Sequence, residues 1–417
     1  MLRLPHILAF VALTGVAPAQ TFVVDGAGSG NYKEISTALA NVNSGSTLVV
    51  KYYAAGYQPF RIANKSVTIV GSLNSLLLPP VVLIPGRGAT GVQIGPLGAG
   101  DHVIIEGLHF LQSSSITGIP LRITGVQGSV SMQQCVFEGS SPYSDFHARI
   151  ENSTAVGMTG CVSRNLLINP GTTNHWLFRI DKSDVAFSQC SFSGRDSGSS
   201  TLPGAPAIDV TQSRITIHDG IFAGGRGHYG GNTAGGPAVV LRLGSTLLAT
   251  GRPNRTYLRG GSAGSSSARD GDCVVLTLSS VARIEGFAPT ATNGGGAVVV
   301  DSSSVARVNP YSQPPLHRSE GPVSAGVAAF WTVDAPAATP LLFLLGFDSV
   351  FIDVGFVGPI RVVPLATIAA TAPAQPPMHL GVKVPLGTSV GTHLVTQCLN
   401  LSGREVWASD AAVAIVR

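Results

Sequence analysis

One short pattern recurs through residues 60–310: a Ser or Gly, alternating apolar residues, a small residue, and an apolar-x-Gly close. Ser66-Val67-Thr68-Ile69-Val70-Gly71 shows its core, and the stretches Ser129 to Gly139, Ser183 to Gly194 and Ser213 to Phe222 show longer copies. Self-similarity at a few tens of residues marks a solenoid, because each unit has an apolar face that only a neighbouring unit can cover. Alternation with period two makes the units strands rather than helices. A second series precedes the Ser-led one: Leu121-Arg122-Ile123, Ala148-Arg149-Ile150, Phe178-Arg179-Ile180 and Ala207-Ile208-Asp209-Val210. Later copies at Ala238, Cys273 and Ala297 each reach a Ser (Ser245, Ser280, Ser304). Each repeat therefore reads as two strands. Surplus length falls in the Gly-rich stretches 223–236, 259–272 and 293–296, which read as loops.

These features predict an all-β chain: a right-handed parallel β-helix over 20–324 followed by a small antiparallel β-sandwich over 325–417. A solenoid exposes core at its ends and needs caps. Tyr32 to Asn41 has helical spacing, with Ile35, Leu39 and Val42 on one face, and reads as the N-terminal cap. After about residue 325 the repeats stop and short apolar segments alternate with prolines, as in a sandwich.

Composition narrows the setting. Charged residues make up 12% of the chain and there are 51 glycines, which favours strands and tight turns over helices. A net charge of +4 with no basic cluster gives no reason to expect nucleic-acid binding. Arg3, the apolar run Ile7 to Val16 and Ala17-Pro18-Ala19 read as a signal peptide over 1–19. That run is shorter than the roughly 20 residues that cross a bilayer, so no transmembrane segment is expected in the mature chain. Cys135, Cys161 and Cys190 fall at matching repeat positions and should form an interior ladder, either as buried thiols or as a bridge. No C-x-x-C or Cys/His cluster suggests a metal site.

Residues 22–72 carry a resemblance. Val24-Asp25-Gly26-Ala27-Gly28-Ser29-Gly30-Asn31-Tyr32-Lys33, Ser44 to Val50 and Val67-Thr68-Ile69-Val70-Gly71 resemble the opening of the pectinesterase and pectate-lyase group of right-handed parallel β-helices. The likeness continues at Gly107-Leu108-His109-Phe110 and Cys135-Val136-Phe137-Glu138-Gly139, and thins towards Cys190. It implies the pectin lyase-like scaffold but not its best-known reaction. The Gln-Asp pair that follows C-x-F-x-G in such esterases is replaced by Ser141-Pro142. The oxyanion-holding Gln aligns near Thr117, and the nucleophilic Asp near Ile168 or Asn169. Two carboxylates and an oxyanion donor carry most of that chemistry, so pectinesterase activity is not expected. Separately, Val390 to Gln397 and Ser409-Asp410-Ala411-Ala412 resemble a small C-terminal β domain of exported planctomycete-type proteins.

Other chemistry on this scaffold would need its own groups. Asp181 and Asp209 follow analogous strands, with Arg149, Arg179 and Arg242 placed similarly, so one face should carry Arg and Asp. Asp181, Asp209 and Arg179 are the candidate catalytic residues of a polysaccharide lyase, the only reading under which Ca²⁺ would be a cofactor. The plainer reading is a solvated ladder of opposite charges. His218 and Asp219 point opposite ways on one strand and make a poor pair. Arg226, His228 and Tyr229 sit in a Gly-rich stretch and are candidate ligand-binding residues, as are Tyr52, Tyr53 and Tyr57. The leading expectation is an exported, non-catalytic or catalytically altered β-helix that binds carbohydrate or adheres at the cell surface. The alternative is a lyase-like enzyme using the Arg/Asp face, and a third is a structural surface-layer component. The expected partner is a polysaccharide or another cell-surface component.

Overall fold

The sequence from Leu121 to Gly139 builds one complete coil. Leu121–Thr124 forms a first strand, Ser129–Gln133 a second and Val136–Gly139 a third. Repetition of this coil gives three parallel sheets of nine, eleven and seven strands among the described residues. The architecture is a parallel β-helix. This computed structural model describes residues 8–9, 20–74, 76–84, 91–112, 119–139, 148–164, 176–198, 200–229, 231–252, 255–291, 293–309, 316–319, 323, 326–335, 337–346, 349–353, 359–362, 366–372, 378–384, 388, 393–401, 407–409 and 412–415.

Three strands per coil correct the expectation of two. The Ser-led run is bent at Gln134-Cys135, where Gln134 takes a φ of 49°. Gly107, Gly160, Gln189 and Asp219 occupy the same left-handed corner in neighbouring coils. For a non-glycine residue this costs roughly 1–2 kcal/mol. A bond into the next coil offsets it: the Gln134 N–H donates to Thr159 O at 2.8 Å, and the Gln189 N–H to His218 O at 2.8 Å. Gln is not a usual turn residue, so at Gln134 and Gln189 the corner is silent in the sequence, whereas Gly107, Gly160 and Asp219 mark it in other coils.

Parallel registration stacks like on like. Val130, Val156, Val185, Ile215 and Leu247 are successive register partners pointing inward. Phe137, Phe178, Phe187, Phe192 and Phe222 form a buried aromatic column, with Phe178 and Phe192 centroids 4.8 Å apart. Such contacts add about 0.5–1.5 kcal/mol each beyond area burial. Cys135, Cys161 and Cys190 line the interior as free thiols. Burial pushes the Cys135 and Cys161 thiols well above their usual pKa.

The recurrent Ser has a definite task. Ser183 Oγ donates to Asp181 O at 2.8 Å and accepts the Ser153 N–H at 3.1 Å. Ser213 Oγ likewise donates to Thr211 O at 2.6 Å and accepts the Ser183 N–H at 3.0 Å. Ser245 Oγ accepts the Ser213 N–H in turn. The column is a side-chain zipper that satisfies backbone groups where the chain turns between sheets, groups that would be costly to bury unpaired.

The Gly-rich stretches are packed layers rather than open loops. Ala205 N–H bonds Arg195 O, Gly225 N–H bonds Ala205 O, Gly236 N–H bonds Gly225 O, Gly261 N–H bonds Gly236 O and Gly271 N–H bonds Gly261 O, all at 2.7–2.9 Å. Outgoing and returning legs of successive coils thus bind one another through backbone alone. A Cβ at Gly225 would lie 1.6 Å from Arg195 O, and one at Gly224 would lie 1.8 Å from Gly236 O. Only glycine permits that approach.

At the front, the helix Ile35–Asn41 buries Ile35, Ala38 and Leu39. It starts later than Tyr32 because Tyr32 bridges to Val24. Lys65 Nζ donates to Leu39 O and Val42 O, each at 2.6 Å, and so closes the helix C-terminus with a cation. Tyr57 is fully buried, its hydroxyl donating to Lys51 O at 2.6 Å, so it is core rather than a ligand contact.

The chain forms two compact units: Phe22–Ser312, and Gln313–Arg417 together with Met1–Thr21. This boundary falls earlier than the change of texture read near 325. The second unit holds small antiparallel sheets around Trp331, Phe343, Leu380 and Cys398. Ser409 Oγ accepts the Cys398 N–H at 2.9 Å, and Gln397 Nε2 donates to Ser409 O at 2.7 Å. The Gln397 and Ser409 that carried the C-terminal resemblance therefore tie strands together. Of the expected signal segment, only Leu8–Ala9 is among the described residues, paired in parallel with Met378–Lys383.

Candidate functional site

The outward positions of the seven-stranded sheet and the glycine layers beside it enclose a cleft of about 820 Å³. Val162–Arg164, Ser191–Ser193, Ile221–Ala223 and Tyr257–Arg259 supply its floor. Period two sends Phe192, Phe222 and Leu258 into the core and leaves Arg164, Ser193, Ala223 and Arg259 facing out. Arg226 joins them from the glycine layers. Arg164, Arg226 and Arg259 are all exposed, and among the described residues no carboxylate makes an ion pair with any of them.

The two acids of the cleft are occupied by backbone. Asp196 Oδ1 accepts the Arg226 N–H at 2.7 Å, and the buried Asp270 accepts the Ala263 N–H at 2.7 Å through Oδ1. Each carboxylate thus fixes a glycine-layer leg. Hydroxyls of Ser193 and Ser262 and the partly exposed ring of Tyr257 complete a polar, aromatic-edged lining. Among the described residues, the charge of the three guanidiniums is not balanced by an ion pair.

Directly before the cleft stands a pair that sequence reasoning overlooked. His109 Nε2 lies 3.1 Å from Glu138 Oε2, on strands of the same sheet whose next member carries Arg164. Burial holds the His109 imidazole below its usual pKa; Glu138 opposes this and the Arg164 charge reinforces it. The signal was available: His109 and Glu138 are outward positions of the third strand, once that strand is recognised.

The sequence-derived candidates separate in space. Asp181, Asp209 and Arg179 share the outward face of the nine-stranded sheet, where Arg179 and Asp209 are register partners. That face is largely self-neutralised. Arg122 and Arg149 both pair with Glu151, at 2.8 and 2.7 Å, and Arg242 pairs with Asp209 at 3.0 Å. The Arg179 guanidinium lies 4.9 Å from the Trp176 ring centroid, a cation–π contact.

Among the loop candidates, Arg226 reaches the cleft. Tyr229 stands 89% exposed, while the His228 N–H donates to Thr233 Oγ1 at 2.6 Å and the ring packs towards Gly231. His218 is buried with Nδ1 2.5 Å from Thr250 Oγ1, and Asp219 forms a left-handed corner. Tyr52 and Tyr53 are half-buried near the first coils. Asp25, in the motif that carried the resemblance, serves as a lock. It accepts from Ser29 and from the Ala27 N–H and pairs with Lys51, and these contacts, the Ser29 hydroxyl first, hold its carboxyl below the usual range. Thr117, Ser141, Pro142, Ile168 and Asn169, where the esterase residues would align, lie outside the described residues. Among the described residues no group of three or more His, Cys, Asp or Glu is placed to hold a metal ion.

No protein-family profile matches the chain, and a search of curated proteins finds no match.

Proposed function

We propose that this chain is an exported, pectin lyase-like β-helix that binds acidic polysaccharide at the cell surface without cleaving it. The observation that carries this reading is the cleft with three exposed guanidiniums, none of them ion-paired among the described residues, over a strand floor. Guanidinium forks suit the planar carboxylates of a uronic acid, and Tyr257 offers a ring edge for a sugar face. Stacked strands lie about 4.8 Å apart, close to the length of one pyranose unit, so successive coils can meet successive sugars. Adhesion would follow from many such contacts along one chain of ligand. The test is binding of polygalacturonate by the intact chain and by an Arg164→Gln/Arg226→Gln/Arg259→Gln variant. Equal affinities would remove the cleft from the proposal.

One observation favours catalysis as a second reading. His109 is held neutral beside Glu138, which suits a general base, and Arg164 next to it could stabilise an enolate during lyase-type elimination. On this second reading the chemistry would lie on the seven-stranded sheet rather than on Asp181, Asp209 and Arg179. Appearance of unsaturated uronides, read by their ultraviolet absorbance and lost in His109→Ala, would support it; their absence across a panel of acidic polysaccharides would reject it.

A further inference from the structure

Most coils turn from the eleven-stranded to the seven-stranded sheet through two residues, as at Gly107-Leu108, Gln134-Cys135 and Gln189-Cys190. One coil does not. Between Val67–Ser72 and Val81–Ile84 the same corner is enlarged to residues 73–80. Leu73, Leu76, Leu77 and Leu78 there are 48%, 74%, 75% and 44% exposed. Single exposed leucines are ordinary, but four in one projecting corner are not.

Asn74 ties together the described residues of this corner. Asn74 Oδ1 accepts the Leu76 N–H at 2.9 Å and the Leu78 N–H at 2.8 Å. Asn74 O accepts the Leu77 N–H at 2.9 Å, and the Asn74 N–H donates to Leu78 O at 3.1 Å. Leu77 sits at a φ of 59°, a conformation that aims its side chain outward at a steric cost. Pro79 and Pro80 follow and have no N–H to satisfy. No ionisable side chain occurs from Ser66 to Gly86. Tyr52 and Tyr53 leave the preceding coil at the same corner, since Lys51 and Ser72 are register partners.

We infer that this corner is a membrane-inserting finger whose ligand is the surface of a lipid bilayer. A protein pocket asks only for complementary shape. Hydrocarbon additionally demands that backbone polar groups be satisfied within the segment, since no water is present to serve them. Asn74 and the two prolines meet that demand for the N–H groups of 74 and 76–80. The absence of charge removes the main penalty of insertion. Tyr52 and Tyr53, which leave the preceding coil at this corner, match the composition of a bilayer's interfacial zone. Four leucines form a shallow, reversible anchor rather than a permanent one.

The test uses the intact chain and vesicles of phosphatidylcholine with phosphatidylglycerol. In co-sedimentation, Leu76→Asn/Leu77→Asn should lower partitioning at least tenfold while leaving the circular dichroism and thermal midpoint unchanged. Asn tolerates the positive φ at 77, so the fold is kept. Leu77→Trp should shift its emission to the blue on adding vesicles and be quenched by bromine on the lipid chains. Absence of wild-type partitioning, equal partitioning of the double variant, or an unquenched Trp would each overturn the inference. So would retention of vesicle binding together with a protein partner that the leucine variant alone fails to capture.

Discussion

Replacing Gly225 by Ala probes the glycine layers directly. The added Cβ would sit 1.6 Å from Arg195 O and 2.1 Å from its carbonyl carbon, both backbone atoms with no freedom to retreat. Two bonds must open, Gly225 N–H to Ala205 O at 2.9 Å and Gly236 N–H to Gly225 O at 2.7 Å. Losing them costs about 1 kcal/mol each, and a buried group left unpaired adds about 1–3 kcal/mol, giving a total of about 3–5 kcal/mol. Two other glycines calibrate the effect. Gly244 has open space but a φ of 73°, so Ala there should cost about 1 kcal/mol. Gly100 has open space and no positive φ, so Ala should stabilise by about 0.4–1 kcal/mol. Urea unfolding followed by circular dichroism gives the order, and hydrogen exchange over 224–237 localises it. If Gly225→Ala is no costlier than Gly244→Ala, the backbones are not in contact and the layers do not exist as described.

Three further expectations follow from the same contacts. Ser213→Ala removes the bond to Thr211 O and leaves the buried Ser183 N–H without its acceptor, so it should destabilise by about 1–3 kcal/mol in a denaturant titration, whereas an exposed serine such as Ser193 should not. Asp301 accepts the Leu278 N–H at 2.7 Å, and hydrogen bonds hold its carboxyl down at about 2. A depressed carboxyl stabilises the fold above its unfolded pKa, and this contribution fades as pH falls from about 4 to about 2. The protection of the Leu278 amide relative to its intrinsic exchange rate should therefore fall across that window in the wild type and lose the pH step in Asp301→Asn. The Cys135 and Cys161 thiols, buried and raised in pKa, should resist a charged thiol reagent at pH 8 in native protein and react fully after unfolding; rapid native labelling would contradict their burial.

The scaffold was legible because its cause is local and repeated: period-two alternation, a recurrent Ser and in-register valines. The third strand was not, because at Gln134 and Gln189 the corner uses residues without turn preference, and the single Gly or Asp that marks it in other coils does not stand out in a chain with 51 glycines. The glycine stretches were visible as composition, but composition does not separate a loop from a layer; that distinction is set by backbone bonds between residues far apart in sequence, such as Gly225 with Ala205 and Gly261 with Gly236. Arg226 was found by its loop context. Arg164 and Arg259 were missed because their outward direction depends on the unseen strand. Asp181, Asp209 and Arg179 were placed on one face as read, yet the ion pairs that occupy much of that face join strands one coil apart, and such register is not printed in single letters.

The most direct measurement is a calorimetric titration of the intact chain with polygalacturonate oligomers and with an uncharged oligosaccharide of equal length, at low and high salt. A cleft that reads carboxylates through Arg164, Arg226 and Arg259 predicts binding of the acidic oligomer, weakening with salt, no comparable binding of the neutral one, and loss of at least tenfold in the triple Gln variant. Equal affinity for acidic and neutral sugars, or undiminished binding by that variant, would contradict it.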